Sequence, residues 1–160
     1  MIWIIVISFF LESIFSNFVN ISSIFIPLFT ITALVTIFPY FNVEKEYIKM
    51  CLLFGFLYDI VFTNTLFINL VLFTFIYFIT KILNYYLANN IINSFIMLFI
   101  NIVFYRCFMY FIYVLSGTLS FNVFYLFKSI YSSLIINIIY ILILYFVIEK
   151  VVLKNKKRFY

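Results

Sequence analysis

Three charged side chains interrupt long apolar runs in this sequence: Glu12, Asp59 and Arg106. Two carboxylates in a dry layer could serve as a general acid and a general base. Such chemistry also calls for a nucleophile with its base, a metal, or a histidine that titrates near neutrality. The chain has no His, and Cys51 and Cys107 fall in separate apolar runs, without metal-ligand spacing. The sequence is therefore read as non-enzymatic, without metal or cofactor, and no disulfide is expected. What two acids and an arginine can do together is hold one another, because the planar guanidinium bonds two acceptors at once. Glu12, Asp59 and Arg106 are expected to form one intramembrane polar cluster, with either carboxylate, or both, bonded to Arg106.

The elements that must position these residues follow from composition. Hydrophobic residues make up 68% of the 160 residues and charged residues 9%, against about half and a quarter in a soluble domain. An all-α integral membrane protein is expected. The net charge of +5 does not indicate nucleic acid, because half of the ten basic residues lie between Lys150 and Arg158, directly after the last apolar run. Placed there, they are a topology signal and an anchor to anionic lipid. The N-terminus has neither the basic leader nor the small-residue cleavage site of a signal peptide, and is read as a retained first helix.

Six apolar runs have helical reach: 1–17, 24–41, 48–63, 66–84, 91–115 and 129–149. A bilayer core calls for about 20 residues of helix, and the third run is short, at roughly 24 Å. It must join the fourth by a tight turn at Thr63, Asn64 and Thr65. With the N-terminus inside, eight Lys and Arg residues face the cytoplasm and only Lys128 faces out, Arg106 being within a span. This bias predicts six transmembrane helices in one bundle (residues 1–149), both termini cytoplasmic, and a basic tail over 150–160.

On this topology Glu12, Asp59 and Arg106 fall at similar depth. An ionised Asp at helix centre costs about 2.5–3.5 kcal/mol, and the eight Leu, Phe, Ile and Val residues of 52–62 return only about 2.5–5 kcal/mol. The third helix is thus marginal alone and must be held by neighbours. Cys51, Gly55 and Asp59 share one face, with room for close approach at Gly55. Ser8, Glu12 and Ser16 form a like stripe on the first helix, as do Ser129, Ser133 and Asn137 on the sixth. The outer stretch 116–128 is aromatic and expected to lie in the interface. Its Phe121, Phe124, Tyr125 and Lys128 are candidate partner contacts.

At Gly55-Phe56-Leu57-Tyr58-Asp59 the chain resembles the family of the rod shape-determining protein MreD. That family is similar in length, in six-span hydropathy and in a Gly-x-x-x-Asp step in the third span. Leu11-Glu12-Ser13-Ile14-Phe15 matches its acidic residue late in the first span, and Pro27 its proline opening the second. Ser120-Phe121-Asn122-Val123-Phe124, then Lys128 and Asn137, resemble Gram-positive members. Where the family usually has Gly at the start of the fourth span, this chain has Phe67, which bears on how closely the third and fourth helices pack. The resemblance implies a non-enzymatic subunit of the elongation machinery, multi-pass in the bacterial cytoplasmic membrane. Its implied partners are an MreC-like bitopic protein and, in a larger complex, MreB, RodA and a class B penicillin-binding protein.

Two other classes compete. The family is related in fold to substrate-binding subunits of energy-coupling-factor transporters, which would make the polar cluster a small-molecule site. Those subunits dock through alanines on the first helix, and this chain has none there. A small channel would need Glu12 or Asp59 to face a pore shared between copies. In the interaction-protein reading, the cluster joins the helices of the bundle.

Overall fold

The computed structural model describes residues 2–18, 27–40, 44–63, 67–87 and 90–156, with Phe18 and residues 151–156 through their backbone alone. Asn64 and Thr65 of the expected turn, residues 24–26 and 41 of the second run, and Lys157 and Arg158 lie outside the described residues. Among the described residues every element is a helix: α1 (Ile2–Phe18), α2 (Phe29–Ile37), α3 (Glu44–Tyr58), α4 (Ile68–Tyr86), α5 (Ile91–Leu115) and α6 (Val123–Lys156). A 3-10 turn at Phe38–Tyr40 extends α2, and a π turn at Asp59–Thr63 extends α3. α4, α5 and α6 are each long and apolar enough to cross a membrane, whereas α1 and α2 are shorter apolar helices. Length and apolarity fit an α-helical membrane bundle.

α2 lies at its centre. All nine of its residues are buried, and it packs against α1, α4, α5 and α6. A helix enclosed by protein need not match the thickness of the hydrocarbon, so a short one suffices. Its Thr32 and Thr36 hydroxyls bond back to the carbonyls of Leu28 (2.9 Å) and Thr32 (2.6 Å). Such bonds satisfy hydroxyls that the apolar interior would otherwise leave unpaired.

α3 and α4 form the most extensive helix pair, and Gly55 is the reason they can. A Cβ added there would stand 2.7 Å from the Leu70 Cα and 2.8 Å from the Asn69 carbonyl oxygen. Only glycine lets the two backbones approach so closely. Phe67 does not prevent this approach. It takes φ 65°, the left-handed region, and so makes the turn into α4 that a glycine makes without strain. Its ring stacks on Phe56.

α6 is longer than the expected 129–149. The Asn122 side chain accepts the Phe124 N–H at 3.0 Å and so starts the helix at Val123. Neither Gly nor Pro interrupts the sequence from there to Lys156. Phe124, Tyr125 and Lys128, expected in an interfacial segment, form the first turns of α6. At about 1.5 Å per residue the helix is about 51 Å long, longer than a hydrocarbon core of about 30 Å.

Candidate functional site

The two acids stand at helix N-termini. The first amides of a helix have no partner within it, and in a membrane interior no water replaces the missing acceptor. α2 and α4 begin at Leu28 and Phe67, neither of which can cap with its side chain. In both cases the preceding helix supplies a carboxylate instead. Glu12, buried on α1, accepts the Thr30 amide at 2.9 Å and the Thr30 hydroxyl at 2.7 Å. Asp59, buried at the end of α3, accepts the amides of Asn69 at 2.9 Å and Leu70 at 3.1 Å. Negative charge at this end of a helix also meets the positive pole of its dipole.

α2 has a second borrowed acceptor. Asn137 of α6 takes the Leu28 N–H at 3.2 Å and, at 2.8 Å, shares the single Thr32 hydroxyl proton with the Leu28 carbonyl, while its own amide donates to the Ser133 carbonyl at 2.7 Å. Three helices thereby meet at the start of α2. Ser8 adds another tie, its hydroxyl 2.7 Å from that of Tyr140.

Tyrosines link the two capping sites. Tyr58 donates its hydroxyl to the Glu12 carboxylate. Tyr105 donates to the Asn69 side-chain oxygen at 2.9 Å, and the Asn69 amide donates to Asp59 at 3.1 Å and to Thr63 at 2.8 Å. The layer thus runs from α1 through α3 and α4 to α5 by side-chain bonds.

Arg106, half-buried on α5, donates through Nε to the Ser133 hydroxyl at 2.7 Å, and its guanidinium lies 5.9 Å from the Tyr105 ring centre. It faces two cavities. The first, about 230 Å³, is also lined by Glu12, Ser16, Tyr58 and Tyr105. The second, about 220 Å³, is also lined by Tyr110, Tyr113, Tyr125 and Ser129. The structure therefore brings Glu12 and Arg106 to one cavity wall, and ties Asp59 to α4.

Of the other expected residues, Cys51 is buried on α3, Gly55 within the α3–α4 pair and Ser8 against α6, while Ser16 is exposed at the first cavity. Phe121 and Phe124 are 74% and 77% exposed, and Tyr125 and Lys128 are exposed as well. Thr30, Tyr58, Asn69 and Tyr105 did not emerge from the sequence, although they complete the bonds. A usable signal existed for Thr30 and Asn69: each falls within the first turn of a helix whose own cap position holds a large apolar residue.

Residues 1–154 match the family model described as rod shape-determining protein MreD. Comparison with curated proteins and with solved structures gave no match.

Proposed function

The chain belongs to the MreD family of rod shape-determining membrane proteins, and from that premise we propose that it is a non-enzymatic scaffold of the lateral wall-synthesis machinery. Family membership implies a role in determining rod shape, alongside other shape-determining proteins. In this reading the chain spans the bacterial cytoplasmic membrane six times with both termini in the cytoplasm. It contacts an MreC-like bitopic protein and, through a larger assembly, MreB, RodA and a class B penicillin-binding protein. The observation that carries the reading is the extent of the match, which covers 154 of 160 residues. The architecture is in keeping with it, since the described residues form bundle helices and their short connections.

Glu12, Asp59 and Arg106 serve in this proposal as one polar layer that fixes the helices in place. The exposed aromatic face of Phe121, Phe124 and Tyr125, with Lys128, is the partner surface. Two observations support that surface: its rings are exposed, and it opens the longest helix of the bundle.

The test is extraction from native membranes in mild detergent, followed by identification of the proteins retained. A bitopic coiled-coil protein with RodA and a penicillin-binding protein is the expected set. A membrane coupling subunit with its ATPases would overturn the reading in favour of solute uptake. Recovery of the bitopic partner is expected to fall at least severalfold in a Phe121→Ala, Phe124→Ala double variant; unchanged recovery would remove that face from the interface.

A further inference from the structure

The two cavities at Arg106 differ in acidic lining although they share a wall. They have Arg106, Met109 and Tyr113 in common. The first is also lined by the Glu12 carboxylate, which is held by Thr30 and Tyr58. Among the described residues the second has no acid in its lining. Its polar groups among the described residues are Arg106 and four hydroxyls, those of Tyr110, Tyr113, Tyr125 and Ser129. Tyr110 accepts the Asn122 N–H at 2.6 Å, so its own proton remains a donor to another group. A guanidinium lining one pocket with several hydroxyls favours an anionic oxygen group.

Size narrows the class. At about 220 Å³ the chamber is smaller than the roughly 300–1,000 Å³ of sites that enclose a whole drug-sized molecule. A phosphate group fits, provided the remainder of its molecule lies outside. The rim offers a place for that remainder: Leu119 lines the chamber, and the exposed Phe121 ring lies 6.3 Å from that of Tyr110. An apolar rim next to an anion chamber matches one abundant molecule of the surroundings.

We propose that the chamber between α5 and α6 binds the phosphate of a membrane phospholipid, with Arg106 as its counter-charge and Tyr125 and Ser129 as hydrogen-bond donors. The acyl chains lie outside, along the apolar rim. The site shares Phe121 and Tyr125 with the partner surface of the scaffold reading, and an experiment on the chain without any protein partner tests it separately.

The experiment uses the full-length chain, delipidated in detergent, with retained lipid counted by native mass spectrometry. Phosphatidylglycerol and diacylglycerol differ in the headgroup phosphate, and inorganic phosphate alone is the third probe. Retention of phosphatidylglycerol at least tenfold above diacylglycerol is expected. Arg106→Gln should abolish the preference. The Tyr125→Phe, Ser129→Ala double variant leaves the Arg106–Ser133 bond in place and should weaken retention severalfold. If Arg106→Gln does not fold, as judged by its melting in detergent, the hydroxyl variant decides. Equal retention of the two lipids, or a preference that survives the hydroxyl variant, would overturn the site. Inorganic phosphate binding as tightly as the lipid would overturn the lipid source and assign the chamber to a soluble phosphate.

Discussion

At the scale of single residues, Gly55 and Phe67 control how α3 meets α4. The atoms that a Cβ at Gly55 would strike belong to backbone, Leu70 Cα and Asn69 O, so no rotamer change can relieve the clash. Gly55→Ala is expected to lower stability in detergent by about 1–3 kcal/mol, read as a lower midpoint of unfolding. Phe67 is the opposite case, a large residue in a conformation that favours glycine. Phe67→Gly and Phe67→Ala both lose the ring contact with Phe56, so comparing them isolates the backbone. The glycine variant should be the more stable by about 1 kcal/mol; equal midpoints would show that the turn is unstrained. Gly55 and Asp59 were legible in the sequence because a small residue and a charge stand out in a run of Phe, Leu and Ile. Tyr58 was not, as one of fourteen tyrosines whose hydroxyl gives no sign of its partner until α1 is placed beside α3.

At the scale of elements, each acid belongs to one helix and caps the start of the next, Glu12 from within α1 and Asp59 from the end of α3. Asp59→Ala leaves the Asn69 and Leu70 amides without this acceptor, and a buried unsatisfied group costs about 1–3 kcal/mol. Accumulation in the membrane should fall, and Asp59→Asn, which retains one acceptor oxygen, should fall less. Joint action of the charged layer is measured by double-variant cycles. Arg106→Gln combined with Glu12→Gln should be less impaired than the sum of the singles, because the two residues face one cavity; strict additivity would rule out coupling. The apolar runs from which the helices arise were readable by hydropathy. The borrowed caps were not, since Glu12 precedes Thr30 by 18 residues and Asp59 precedes Asn69 by 10. Local capping rules look three residues ahead, which reaches the Asn122 cap before α6 but neither borrowed cap.

At the scale of the whole molecule, orientation rests on the distribution of Lys and Arg and can be tested directly. In a background without Cys51 and Cys107, Asn122→Cys should react with a membrane-impermeant maleimide in intact cells, and Lys154→Cys only after lysis. The reverse pattern would invert the bundle. Charge counting could state this orientation, but it could not place α2 at the centre, because burial on every side leaves no amphipathic pattern to read. That central position has a consequence for how the protein is made. Asn137 lies 109 residues downstream of Leu28, so the ribosome has completed five of the six helices before this acceptor exists. Until α6 emerges, α2 has only Glu12 at its first turn and lacks one of its enclosing walls. The innermost helix is among the earliest synthesised and the last to be completed, so a chain that stops before α6 would lack part of its centre as well as one edge.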